Sequence, residues 1–299
     1  MIVFAVLVTL ASLALPRALS GITERFSAVQ EARAFPVIAD REGFVRVSRT
    51  SPPEVSAAAA SVFDSTTAEF LYEKNGTGVF PIASLTKLMT ALVALERGID
   101  LDASETITAA DNDPEGAFVT LPVGSVVTVH DLLDATLVAS GNNAAEALAR
   151  AAGIEESAFV AAMNARAAEL GLAATRFTDV TGLGLSNVSS VRDMALLTSH
   201  ALQRKEIRDA TQRNASTITL QPSGRTIAFR STNELLGLGL RITGGKTGTH
   251  ATGAVLTLGV EDEQGHGMIV TVFGSGRSAR FLDARALAEW ALETFQHSS

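Results

Sequence analysis

Two hydrophobic periods share this chain, and the points where one yields to the other outline its architecture. AAASVFD (58–64) and EFLYE (69–73) read as two short strands joined around Ser65-Thr66-Thr67. SLTKLMTALVALERG (84–98) then switches to helical spacing, with Leu85, Leu88, Met89, Leu92, Val93 and Leu95 on the repeat and Gly98 placed to end it. Further helices are predicted over 130–140, 142–153, 155–171 and 189–202, each with an apolar stripe and a glycine or polar boundary. After Asn214 the period falls to two: STITL, RTIAFR, GAVLTLGV and MIVTVFG read as strands, the last pair separated by the turn-rich EDEQGHG. ARFLDARALAEWALETF (279–295) closes the chain as an amphipathic helix. Strands at both ends with helices between them predict an α/β (α+β) fold. Its antiparallel sheet is built from N- and C-terminal strands, flanked by helices, with a mainly helical subdomain inserted.

The first residues follow neither period. Residues 2–15, IVFAVLVTLASLAL, are apolar apart from Thr9 and Ser12. A run of about 14 suits the apolar core of an export signal better than a span of about 20. Ala18-Leu19-Ser20 supplies small residues for cleavage before Gly21. The expected organisation is a signal peptide or N-terminal membrane anchor over 1–20, a linker over 21–55 ending near Ser51-Pro52-Pro53, and one folded domain over 56–299.

Composition narrows the chemistry. Hydrophobic residues make up 46% and charged ones 19%, enough for a large core. A formal net charge of −8 argues against nucleic acid as a partner. There is no cysteine, and the five histidines show no His-x-x-x-His pairing, so no metal and no other cofactor is expected. Gly-Gly-Lys-Thr (244–247) is not a phosphate-binding loop: Leu240 stands where that motif needs glycine, and a strand follows where it needs a helix. No Gly-x-Ser-x-Gly elbow is present.

Three short signals carry the chemistry by their order: Ser84-Leu85-Thr86-Lys87, Ser140-Gly141-Asn142 and Lys246-Thr247-Gly248. One helical turn puts Ser84 and Lys87 on the same face, and a helix start favours an alkoxide or oxyanion. Lysine takes a proton from serine only when neutral, so its pKa must fall from about 10.4 to roughly 7–8. A second ammonium about 4 Å away supplies that shift at an effective dielectric near 20, and Lys246 is the candidate. Which lysine is neutral at each step stays open, because a coupled pair shares its titration. The Ser140 hydroxyl could relay a proton to a leaving amine, and Asn142 could hold a substrate carbonyl or orient Lys87. On an edge strand, Gly248 would permit close substrate approach. Lys246 and Thr247 would meet a carboxylate, and the Thr249 N–H would supply a second oxyanion donor.

From about Ala58 to Phe295 the chain resembles the low-molecular-mass penicillin-binding D-alanyl-D-alanine carboxypeptidases. The resemblance is carried by the three motifs together with LYEKNGTGVFPIASLTKLMTALVALE, FVAAMNARAAELGLAATRFTDVTGL, STNELL and GGKTGT. It implies the β-lactamase/DD-peptidase-like fold and a serine peptidase whose substrate is the peptidoglycan stem peptide ending in D-Ala-D-Ala. Ser84 would be acylated by the penultimate D-Ala carbonyl, the terminal D-Ala would leave, and water would hydrolyse the acyl-enzyme. β-Lactams would acylate the same serine and stay. The resemblance further implies that Arg280, before Phe281, holds the substrate carboxylate, with Arg277 a weaker candidate. It places the protein in the cell envelope, in the periplasm or on the outer face of the cytoplasmic membrane, with membrane contact only through the N-terminal segment. Two departures stand out: Asn143 replaces a common acidic residue, and the loop after Gly248 is short. Three alternatives stay open: an endopeptidase of the same family cutting cross-links, a class A-like β-lactamase, or a non-catalytic sensor of β-lactam or peptidoglycan. Thr181, where class A enzymes carry glutamate, weighs against the second.

Overall fold

The computed structural model describes residues 43–111 and 118–298. In chain order the strands are β1 (Gly43–Arg46), β2 (Ala59–Asp64), β3 (Glu69–Lys74), β4 (Phe80–Pro81), β5 (Ser104–Thr106), β6 (Val126–Thr128), β7 (Val188–Ser189), β8 (Ala215–Thr219), β9 (Thr226–Arg230), β10 (Ile242–His250), β11 (Gly253–Glu261), β12 (Gly267–Ser275) and β13 (Phe295–Ser298). The α-helices are α1 (Thr86–Glu96), α2 (Val129–Leu137), α3 (Asn142–Arg150), α4 (Glu156–Glu169), α5 (Val191–Gln203), α6 (Lys205–Gln212) and α7 (Ala279–Thr294).

Five strands make one antiparallel sheet in the order β10-β11-β12-β2-β3, so the two chain halves meet where β12 pairs with β2. This is the sheet that the alternating patterns predict. In β12, Met268, Val270 and Val272 join the core on the α7 side, while Ile269 and Phe273 join the core on the other side. Each fully buried side chain of this size contributes about 1.5–3 kcal/mol. A one-residue slip would turn every one of them to the wrong face, which fixes the register. Polar residues inside the sheet are satisfied: Thr198, Thr257 and Thr271 form a chain of hydroxyl contacts at 2.8 and 3.0 Å.

The inserted helices stand against the face opposite α7. Central among them is α1, in which every residue from Thr86 to Leu95 is buried, including Lys87. A helix enclosed on all sides explains why its apolar positions outnumber a single stripe. α2 starts with a capping box between Thr128 and Asp131.

The glycine-rich segment around Lys246 is a nine-residue strand, β10, at the sheet edge, the setting considered for Gly248, and it turns into β11 through Ala251 and Thr252 alone. Other parts departed from the sequence pattern. Within the segment expected as linker, β1 pairs with β13, Trp290 Nε1 donates to the Thr50 carbonyl at 3.1 Å, and Lys74 Nζ donates to that of Val55 at 2.9 Å. Those contacts are made largely through main-chain atoms, which leave no hydrophobic period to read. The apolar run over 2–15 and residues 21–42 lie outside the described residues. No helix among the described residues is long and apolar enough to cross a membrane.

Candidate active site

Ser84 lies in one turn of 3-10 helix, Ala83–Leu85, that runs directly into α1. Ala83 is held at φ 47°, a left-handed conformation unusual for alanine and one that sharpens the entry to the helix. One turn further on, Lys87 Nζ donates to Ser84 Oγ at 3.0 Å, to Asn142 Oδ1 at 2.8 Å and to the Thr181 carbonyl at 2.8 Å. Three N–H donors therefore meet three acceptors, which locks a long flexible side chain into one pose.

Two further elements hold that arrangement. β4 pairs with β7, and Ile82 N donates to the Asn187 carbonyl, so the approach to Ser84 is sewn to the loop 178–187. Within the loop, Asp179 Oδ1 accepts from Thr181 N, Thr181 Oγ1 and Gly182 N. Asn187 Nδ2 donates to Thr86 Oγ1 at 3.0 Å. The loop's role in the geometry is thus to present a main-chain oxygen to Lys87.

The second wall comes from the turn between α2 and α3. Ser140 sits there at φ 58°, a strained conformation costing about 1–2 kcal/mol for a residue with a Cβ. Its hydroxyl accepts from Lys246 Nζ at 2.9 Å, and the same ammonium donates to the Thr247 carbonyl at 3.0 Å. Asn143 pins the neighbouring loop by accepting from Leu121 N and donating to the Leu121 carbonyl at 2.7 Å. A carboxylate at this position could not make the second bond.

Strand β10 splits its motif between two faces, as the period of two requires. Lys246 and Gly248 turn toward Ser140 and the Ser84 turn. A Cβ on Gly248 would lie 2.7 Å from Val255 Cγ2 and 3.0 Å from both Ala83 Cβ and the Ile82 carbonyl. Glycine here allows the strand to press against the turn that carries Ser84. Thr247 and Thr249 turn the other way: Thr247 Oγ1 donates to Thr232 Oγ1 at 2.6 Å, and Thr249 Oγ1 accepts from Arg280 Nη1 at 2.8 Å. Arg280 Nη1 also donates to the Gly248 carbonyl at 2.6 Å. Burial lowers the Arg280 pKa to about 10, with Glu234 opposing the shift and Arg277 adding to it.

A serine bonded to a buried lysine, facing a second serine–lysine pair across an edge strand, is equipped to form and break acyl bonds. The family profile of D-alanyl-D-alanine carboxypeptidases, peptidase family S11, matches residues 46–276. The chain belongs to this family. It is 34% identical over 263 residues to a D-alanyl-D-alanine endopeptidase of Pseudomonas aeruginosa, covering 84% of each protein. It is 31% identical over 245 residues to the Escherichia coli D-alanyl-D-alanine endopeptidase, covering 80% of this chain and 78% of the other. A D-alanyl-D-alanine carboxypeptidase of Bacillus subtilis is 34% identical over 165 residues, which cover 53% of this chain and 42% of that protein. Among solved structures, the Streptomyces K15 DD-transpeptidase superposes with a TM-score of 0.75 at 28% identity, covering 82% of this chain and 100% of that one.

The serine D-Ala-D-Ala peptidase thus brings Ser84, Lys87, Ser140, Asn142 and Lys246 together through the contacts above, and it groups Thr247, Thr249 and Arg280 along the far side of β10. One expectation changes in kind. Lys246 reaches the Ser140 hydroxyl, and its pKa is pushed well below the ordinary 10.5 chiefly by burial, with the Lys87 charge second and Arg280 third. Crowding of like charges is therefore secondary to loss of water. Sequence reading passed over Thr181 as a ligand of Lys87, because its carbonyl carries no side-chain signature. It also passed over Thr232, although STNELL marked that stretch.

The depressed Lys246 pKa gives a signed pH prediction. Between its folded value and 10.5 the unfolded chain binds the extra proton, so wild-type stability gains from this residue as pH rises through that window. Replacing it, Lys246→Met, removes the titration. The melting temperature of wild type minus that of the variant is expected to increase from pH 7 to about pH 10. A difference that stays flat or falls contradicts the burial of this amine.

Proposed function

We propose that the enzyme hydrolyses the D-Ala-D-Ala bond of peptidoglycan stem peptides through an acyl-enzyme on Ser84. The reading is carried by the Lys87 Nζ–Ser84 Oγ contact of 3.0 Å, which joins a buried lysine to a partly exposed serine. Lys87, once neutral, is the general base for Ser84, its lone pair taking the hydroxyl proton in place of the N–H it donates in the ammonium form. Ser140, bonded to Lys246, passes a proton to the departing amine. The N–H groups of Ser84 and Thr249 receive the oxyanion. Lys246, Thr247, Thr249 and Arg280 bind the carboxylate of the terminal D-Ala, Gly248 gives the room that packing needs, and Asn142 orients Lys87. Penicillin acylates Ser84 and remains, because the loop 178–187 offers Lys87 the Thr181 carbonyl while the Asp179 carboxylate is engaged by its own loop. Residues 1–20 direct export to the cell envelope, a reading supported by the apolar run 2–15.

The principal activity proposed is carboxypeptidase release of D-Ala. A second reading, endopeptidase cleavage of cross-links, is favoured by relatives of Pseudomonas aeruginosa and Escherichia coli that are matched over 84% and 78% of their own length and are both named endopeptidases. Incubation with un-cross-linked pentapeptide and with cross-linked muropeptide dimers tests both, read by D-Ala release and by dimer loss. Stable labelling of Ser84 by a fluorescent penicillin, with one or both substrates cleaved, is the expected result. Labelling without any cleavage would leave only a sensor.

A further inference from the structure

Past Thr232 and Arg280 the site opens into a cavity of about 530 Å³, bounded by Phe118 and β9. Its charge differs from that of the whole protein. The chain carries a formal net charge of −8, yet among the described residues four arginines (Arg225, Arg230, Arg277 and Arg280) line this cavity beside a single carboxylate, Glu234. Arg225, Arg230 and Arg277 are exposed, and none forms an ion pair with a described carboxylate. Arginines elsewhere on the described surface, such as Arg166, Arg192 and Arg241, do form such pairs. Arg280 is buried, and its Nε has no partner among the described residues.

A terminal D-Ala presents one carboxylate, for which Arg280 and the β10 threonines suffice. Three additional guanidinium groups without an ion-pair partner among the described residues exceed that need, and like charges kept together in a concave surface favour an anion between them. Guanidinium groups match carboxylates in paired, planar hydrogen bonds. The cavity continues from Arg280 and so lies on the side toward which the leaving group departs. A leaving group that fills it is longer than one amino acid and carries more than one carboxylate.

We propose that Arg225 and Arg230 form a second anion subsite that holds the free carboxylates of the neighbouring stem peptide in a cross-link. The proposal rests on the DD-peptidase reading and deepens it, since it makes the cross-linked dimer a substrate with its own recognition element. No new bond chemistry is involved: the same acyl-enzyme forms on Ser84, and the amine of the neighbouring stem leaves in place of D-Ala.

The test compares wild type with Arg225→Ala/Arg230→Ala on cross-linked dimer and on un-cross-linked pentapeptide. The expected result is a fall of about 10-fold or more in kcat/KM for the dimer, against about 3-fold or less for D-Ala release. Raising salt should weaken dimer cleavage more steeply in wild type than in the variant. The charge-preserving Arg225→Lys/Arg230→Lys should recover part of the loss. Equal effects on both substrates, no effect on either, or a wild type that does not cleave dimers each overturn the subsite. Penicillin labelling of Ser84 separates the two levels. A labelled wild type with unselective variants sinks only the subsite, whereas an unlabelled wild type sinks the acyl-enzyme reading and the subsite with it.

Discussion

Ser84→Ala is expected to abolish covalent labelling by penicillin and to lower turnover by a factor on the order of 10⁶, as loss of a nucleophile does in other serine hydrolases. Lys87→Met should behave differently. The hydroxyl remains but its proton has no acceptor, so acylation is expected to slow by about 10²–10⁴, the usual range for general-base catalysis. Stability should part the two variants as well. Removing the Ser84 hydroxyl takes away one of three acceptors from Lys87, whereas removing the ammonium strands Asn142 Oδ1 and the Thr181 carbonyl. Each buried acceptor left without a partner costs about 1–3 kcal/mol. Time-resolved labelling and thermal unfolding of both variants measure these effects. Residual labelling of Ser84→Ala at the wild-type rate would place the acylated residue elsewhere.

Gly182→Ala is expected to damage the site from a position that touches no substrate. Gly182 has φ +75°, and a Cβ there would stand 1.9 Å from the Ala83 carbonyl oxygen and 2.5 Å from Thr86 Oγ1. Those are main-chain and first-turn atoms of the segment that carries Ser84, so relief requires the turn itself to move. A displacement of about 1 Å at a reacting group typically costs on the order of 10² in rate. The comparison is Gly153→Ala, at φ +73° with nothing within 4 Å. It carries the dihedral cost of about 1–2 kcal/mol and no clash. Equal stability loss and equal acylation rates in the two variants would show that the loop 178–187 does not bear on Ser84.

Much of this was legible before any coordinates. Alternation in GAVLTLGV and MIVTVFG gave β11 and β12, because residues buried on both faces of a central sheet still keep a period of two in which core they join. Ser84 and Lys87 three apart gave their contact, because helix geometry is local. The pairing of Lys246 with Ser140 needed the sheet edge to meet the turn between α2 and α3, a juxtaposition that spacing along the chain does not encode. The Thr181 carbonyl was hidden for a plainer reason: main-chain oxygens are present at every residue. The edge strand was considered at Gly248, but the bounds of β10 were not legible, because its glycines carry no hydrophobic pattern.

The four-residue ladder between β1 and β13 has a mechanical meaning. Gly43 stands directly after the leading 42 residues and opposite Ser298, so a pull on that leader loads the ladder at its end and parts it one pair at a time. Opening from that end would reach Phe44 in the second pair and Phe295 in the last; both belong to the α7 side of the sheet, whereas Leu85 beside Ser84 belongs to the other side. The ladder thus closes the α7 side of the sheet, on the face away from the reacting groups.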